Sequence, residues 1–138
     1  MLERKITKVL EEWKNEEKKP CLLIKGARQV GKSYIIEEFI KNNYNNSAVI
    51  NFELKPEFKK IFEGNLDFDT LTEKLSLIFP KIIDFENKPI IFFDEIQNCP
   101  NARVALKSFA LDGRIDVIAS RIAFRIILQR SCIISSWI

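Results

Sequence analysis

The sequence contains no histidine, three cysteines and only four glycines among its 138 residues. Without histidine, any catalysis must use carboxylates, lysine, hydroxyl groups or a metal ion instead of imidazole. Cys21, Cys99 and Cys132 follow neither a zinc-binding spacing nor the spacing of a redox pair. The number of cysteines is odd, and the charged N-terminus does not have the apolar core of a signal peptide. Both observations indicate reduced thiols in the cytoplasm.

Charge and hydropathy argue against two further classes of protein. The 22 Lys and Arg residues nearly balance the 19 Asp and Glu residues, and a net charge of +3 does not support nucleic acid binding. No segment approaches the roughly 20 consecutive apolar residues that span a bilayer, so we expect no membrane partner. The length predicts one small domain with a single core.

Apolar residues recur along the chain with two different periods. Helical spacing predicts an amphipathic helix over about residues 2–17, and short apolar runs predict strands at 21–24, 48–52, 90–93 and 116–119. Helical patterns lie between these runs, including a capping box at 70–73 and a helix that begins at Pro100 and ends at Gly113. The alternation predicts an α/β fold of three layers, with helices on both faces of a central parallel sheet.

A complete G-x-x-x-x-G-K-[ST] motif follows the first predicted strand and precedes a helix. Its residues are Gly26, Ala27, Arg28, Gln29, Val30, Gly31, Lys32 and Ser33. In such a loop the glycines let the backbone approach phosphate, and inward N–H groups with the helix N-terminus bind the anion. We expect Lys32 to reach the β- and γ-phosphates of ATP and Ser33 to bind Mg²⁺. Tyr34, the next residue, completes the predicted nucleotide-binding set.

A second motif, the acidic pair Asp94-Glu95, ends the third predicted strand. A carboxylate beside a buried strand is costly unless something neutralises it, and Mg²⁺ held by Ser33 and Asp94 would do so. Glu95 is then suited to activate water as a general base. The guanine-binding motif N-K-x-D is absent, because Asn87-Lys88 is followed by proline and isoleucine, so the sequence favours ATP over GTP.

Three polar residues near these motifs have open interpretations. Ser120 ends the fourth predicted strand, where it either senses the terminal phosphate or caps the strand. Gln97 and Asn98 follow the acidic pair and either orient water or cap the loop, and we favour the capping role.

These motifs, together with Ile50-Asn51-Phe52-Glu53 and the segment Phe92–Pro100, closely resemble prokaryotic AAA-superfamily ATPases. In those proteins the AAA domain precedes a winged-helix region and a nuclease-like domain. The resemblance covers residues 1–120, the predicted ATP-binding domain. It implies Mg²⁺-dependent ATP hydrolysis with Lys32 and Glu95 as catalytic residues. In an intact protein it also implies a homo-oligomer in which a neighbour supplies an arginine finger, but the finger and a helical lid would lie beyond Ser120, and we expect this chain to lack both.

The resemblance stops after Ser120, where the family typically continues Gly-Ser-Leu-Leu-Gly and this chain continues Arg-Ile-Ala-Phe-Arg. Codons can be chosen for Arg-Ile-Ala-Phe-Arg so that translation from one nucleotide further on gives Gly-Ser-Leu-Leu-Gly. We therefore expect residues 121–138 to be a frameshifted tail, the alternative being a genuine divergent tail. Two functions stay open: an ATPase with slow turnover, and a non-catalytic remnant that binds nucleotide weakly or not at all.

Overall fold

The computed structural model describes residues 2–17, 19–26, 31–123 and 127–129. Its α-helices are α1 (Leu2–Lys14), α2 (Lys32–Asn43), α3 (Phe68–Ser76) and α4 (Pro100–Asp112). Its strands are β1 (Leu22–Gly26), β2 (Ser47–Asn51), β3 (Ile90–Asp94), β4 (Asp116–Ile122) and β5 (Ile127–Gln129). Short 3₁₀ helices cover Pro56–Phe62, Pro80–Ile83, Phe85–Asn87 and Ile96–Asn98.

The strands form one sheet in the order β2-β3-β4-β1-β5. The first four are mutually parallel, which confirms the predicted parallel sheet, while β5 pairs antiparallel with β1 and was not predicted. Because β4 lies between β3 and β1, the carboxyl ends of these three strands adjoin. Gly26, which begins the phosphate-loop motif, therefore meets the acidic motif and Ser120 at one edge of the sheet.

Helices cover both faces of this sheet, as predicted, and the fold is that of a P-loop NTPase. On one face α1 and α2 bury Ile6, Leu10, Trp13, Ile36 and Ile40 against the strands. The other face carries α3, α4 and the 3₁₀ helices over a phenylalanine-rich core. There the ring centroid of Phe93 lies 5.9 Å from Phe52, 5.6 Å from Phe62 and 5.9 Å from Phe109. Each buried ring contributes roughly 1.5–3 kcal/mol.

The start of α3 differs from the prediction. The capping box at 70–73 is wrong, because α3 begins at Phe68 and its N-cap is Asp67. The Asp67 carboxylate accepts hydrogen bonds from the Thr70 N–H at 3.0 Å and from the Thr70 hydroxyl at 2.9 Å. Asp67 thus satisfies an otherwise unpaired N–H group of the first turn, with Thr70 as the donor.

A charged network fixes the opposite, amino end of β4. Asp116 is 3% exposed and accepts a 2.6 Å hydrogen bond from the Tyr44 hydroxyl. The Nζ atoms of Lys19 and Lys88 lie 3.4 and 3.7 Å from its carboxylate oxygens. Burial, and then the bond to the Asp116 carboxylate, raise the pKa of Tyr44. This network ties the segments that precede β1, β2 and β3 to the start of β4.

Candidate functional site

The start of α2 holds two of the predicted site residues in place. Its N-cap, Gly31, has φ 75° and ψ 20°, a left-handed conformation that favours glycine. A Cβ atom at Gly31 would meet nothing within 4 Å, so the constraint is torsional. Lys32 is the first helical residue and only 2% exposed, and Ser33 follows it. Both lie where unpaired N–H groups and the helix dipole favour an anion.

The rest of the predicted loop is only partly described. Ala27, Arg28, Gln29 and Val30 lie outside the described residues. Gly26 ends β1, and its carbonyl oxygen accepts a 3.0 Å hydrogen bond from the N–H of Ala123.

Asp94, at the carboxyl end of β3, is where three elements converge. Its Oδ1 accepts hydrogen bonds from the Ser33 hydroxyl of α2 at 3.0 Å and from the Ser120 hydroxyl of β4 at 2.6 Å. Its Oδ2 accepts one from the Asn51 amide of β2 at 3.2 Å. With 4% exposure the carboxylate is nearly removed from water, and these donors stabilise its charge.

The chemistry of this cluster fits a magnesium ion. Mg²⁺ binds oxygen ligands, usually one or two protein side chains together with substrate phosphates and water. The Ser33 hydroxyl and the Asp94 carboxylate carry oxygen atoms of this kind, and the fold brings them to 3.0 Å from each other. Within the described ranges, no group of three or more His, Cys, Asp or Glu side chains has a metal-binding arrangement.

Glu95 has a strained backbone and a buried side chain. Its φ of 57° and ψ of 49° are left-handed, a conformation that costs about 1–3 kcal/mol outside glycine. Hydrogen bonds from its N–H to the Ser120 Oγ at 3.3 Å and from the Asn98 N–H to its carbonyl at 3.1 Å hold this turn. The side chain amide of Gln97 donates to the Oε1 of Glu95 at 3.3 Å, and Glu95 is 7% exposed. Such strain occurs most often at functional sites.

Ser120 contacts both acidic residues. It is fully buried at 0% exposure, and its hydroxyl donates to Asp94 while accepting from the Glu95 N–H. Neither interpretation of the sequence included this bridge between the two carboxylate-bearing residues.

Two further residues at the site were missed as site residues. Asn51 orients Asp94, and its own amide is fixed because Oδ1 accepts the N–H groups of Glu53 and Leu54, each at 2.9 Å. A polar residue at the carboxyl end of a predicted strand was the available signal. Glu37 lies one helical turn after Ser33. Partial loss of hydration, and then the negative charge of Asp94, raise the pKa of Glu37.

Tyr34 lies on the outer side of α2. Its side chain is 68% exposed, and its hydroxyl lies 3.5 Å from the carboxylate of Glu38. It lines an open groove of about 550 Å³ between α2 and β2, together with residues such as Lys41 and Val49. Its predicted contact with nucleotide stays a prediction.

Comparison with protein families agrees with this geometry. A phosphate-loop motif at the start of a helix, beside an acidic strand end in a parallel sheet, defines the class of P-loop nucleotide-binding proteins. A model of the AAA domain matches residues 18–121. The chain therefore belongs to the AAA domain family, and this region is a nucleotide-binding, AAA-type P-loop ATPase domain. None of the curated proteins compared matches the chain. Over the described ranges, no helix has the length and apolar character needed to cross a bilayer.

Proposed function

We propose that this AAA domain binds ATP with Mg²⁺ and hydrolyses it to ADP and phosphate. The observation that carries the proposal is the 3.0 Å contact between the Ser33 hydroxyl and the Asp94 carboxylate, next to the buried Glu95. A chance glycine turn would not require these residues, which are 61 positions apart, to meet.

Each residue at the sheet edge has a distinct role in binding. The Lys32 ammonium group would contact the β- and γ-phosphates, and the N–H groups at the start of α2 would bind phosphate oxygens. Ser33 and Asp94 would hold Mg²⁺, which neutralises charge on the phosphates when it is bound. Ser120 and Asn51 keep the Asp94 carboxylate in one orientation.

Glu95 would act on the attacking water. A bond forms between the water oxygen and the γ-phosphorus while the bond from that phosphorus to the ADP oxygen breaks. The proton that the water loses passes to the Glu95 carboxylate. Burial at 7% exposure favours this role because bulk water does not compete for the carboxylate.

Assembly and location complete the proposal. The resemblance to AAA ATPases implies an arginine from a neighbouring copy of the intact protein, and the segment expected to carry this arginine would lie beyond Ser120, where the resemblance stops. Such an arginine is worth about 10³–10⁵ in rate, so we expect slow turnover by an isolated chain. The odd number of cysteines, with no spacing typical of a redox pair, supports the cytoplasm as the compartment.

Calorimetry of ATP binding in the presence of Mg²⁺ tests the binding step. We expect binding by the wild-type chain, its loss in Lys32→Ala, and its retention in Lys41→Ala, which removes an exposed lysine from the same helix. A folded wild-type chain that binds no nucleotide would refute the proposal and favour the non-catalytic remnant.

Phosphate release tests the chemical step separately. We expect Glu95→Gln to retain ATP affinity and to lose about 10²–10⁴ in turnover, the usual contribution of a general base. Equal turnover by Glu95→Gln and the wild-type chain would show that Glu95 is not the base.

A further inference from the structure

Gln97 lies beside the proposed general base. It belongs to the 3₁₀ helix Ile96–Asn98, which directly follows the acidic motif. Its Nε2 lies 3.3 Å from the Oε1 of Glu95. The turn that carries it is closed by backbone hydrogen bonds, from Asn98 N–H to Glu95 O and from Cys99 N–H to Ile96 O. The Gln97 side chain therefore contacts the acidic side chain, whereas the favoured interpretation of the sequence gave it a loop-capping role.

The chemistry of the pair fixes which way the Gln97 amide points. An ionised carboxylate only accepts hydrogen bonds, so the NH₂ group must face Glu95 and the carbonyl oxygen must point away. That oxygen, Oε1, is buried and has no hydrogen-bond partner within the described part of the chain. A buried acceptor without a donor is costly, and such atoms in native proteins usually bind water or a ligand.

We infer that the Oε1 of Gln97 accepts a hydrogen bond from the water that attacks ATP, so that Gln97 is a positioning residue for hydrolysis. The attacking water has two protons. Glu95 accepts the one that is transferred, and Gln97 holds the other, which leaves an oxygen lone pair directed at the γ-phosphorus. The same Gln97 amide donates to Glu95, so it orients the base and the water together.

The inference rests on the proposed ATPase function, and it gives Gln97 the water-orienting role that the sequence left open beside the favoured capping role. Its signature is a separation of effects. Loss of Gln97 should leave ground-state binding of ATP intact, because the amide contacts water and Glu95 and has no role in holding phosphate. It should slow turnover and weaken the binding of a transition-state mimic, because both depend on the ordered water.

The test uses the full chain with Gln97→Met, which keeps a side chain of similar length and removes both polar atoms. We expect turnover about 100-fold slower than wild type, the size of loss that a misplaced reactant produces, with unchanged ATP affinity. The second readout is binding of ADP with aluminium fluoride, a transition-state mimic that includes the attacking water. The variant should lose the added affinity for this mimic, whereas Lys107→Met, at an exposed position of α4, should keep it.

The outcomes separate the inference from the proposed function. If the wild-type chain hydrolyses ATP and Gln97→Met does so at the same rate, the inference is overturned and the proposed function is not. Equal losses of ATP affinity and turnover would also overturn it, because they indicate a structural role. Absence of turnover and of mimic binding in the wild-type chain overturns the proposed ATPase function, and the inference with it. If Gln97→Met does not fold, as judged by circular dichroism, Gln97→Ala, which introduces no bulk, replaces it with the same expectations.

Discussion

The bridge made by Ser120 predicts that its hydroxyl stabilises the fold more than a serine hydroxyl usually does. In Ser120→Ala the Asp94 carboxylate loses a 2.6 Å donor but keeps Ser33 and Asn51. A hydrogen bond to a charged acceptor contributes about 1.5–3 kcal/mol, and the remaining donors argue for the lower value. The buried N–H of Glu95 loses its acceptor, which costs about 1–3 kcal/mol more. The free energy of unfolding should therefore fall by about 2.5–4.5 kcal/mol.

Ser108 provides a matched control for this measurement. Its hydroxyl donates one 2.7 Å hydrogen bond to the neutral carbonyl of Leu66. Ser108→Ala should therefore cost about 1 kcal/mol. Urea unfolding without nucleotide measures both losses, and equal urea dependence of the free energy in all variants shows that they unfold alike. Ser120→Cys, with a weaker donor of similar shape, should lie between wild type and Ser120→Ala.

The reasoning about Ser120 fails if Ser120→Ala costs no more than Ser108→Ala. That result would mean that the hydroxyl is not shared between the two acidic residues. A large loss of stability also predicts weaker Mg²⁺-dependent ATP binding in Ser120→Ala, since Asp94 would then have more than one orientation.

The remaining predictions concern the other end of β4 and its final residues. Tyr44→Phe should lower the free energy of unfolding by about 1.5–3 kcal/mol, by loss of the bond to Asp116, and leave ATP binding unchanged. Because folding raises the pKa of Tyr44, its contribution is fully present below about pH 10 and is lost as the pH rises further. The melting temperatures of the wild-type protein and Tyr44→Phe should therefore differ at pH 7, and this difference should shrink above about pH 10. Arg121→Thr should raise the stability by about 0.2–1 kcal/mol, because it removes a like charge opposite Lys25, and the gain should shrink at high salt.

Local patterns were enough to predict the four parallel strands and their order along the chain. Each short apolar run overlaps a strand of the structure, although Cys21 precedes β1, Phe52 follows β2, and Val49 of the edge strand β2 is exposed. The boundaries were less accurate at the site. The first predicted strand ended at Ile24 because lysine follows, yet β1 continues through Lys25 and Gly26. The neighbouring β4 supplies backbone partners up to Ile122, so β1 continues although the side chain of Lys25 is charged.

Contacts across the sheet could not be predicted from the sequence. The sequence gives no direct signal that β3 lies between β2 and β4, and this order is what brings Asn51 and Ser120 to Asp94. Asp116 is a similar case. It begins an apolar strand without any motif around it, and the structure alone shows that two lysines pair with its carboxylate and a tyrosine donates a hydrogen bond to it, all from other segments. The phosphate loop and the acidic motif were recognisable because their spacing is local.

The end of β4 bears on the origin of the tail, which stays a prediction. Arg121 is directly opposite Lys25, and its Nε is buried without a hydrogen-bond partner within the described ranges. Burial, and then the charge of Arg121, lower the pKa of Lys25, and they act likewise on Arg103. A residue selected for this position would be expected to avoid two cations, and the glycine that the resembling ATPases carry after the equivalent of Ser120 does avoid them. A frameshift supplies residues without regard to their neighbours. If so, the gene should encode Gly-Ser-Leu-Leu-Gly from one nucleotide further on, and codons that rule out that translation would establish a genuine tail.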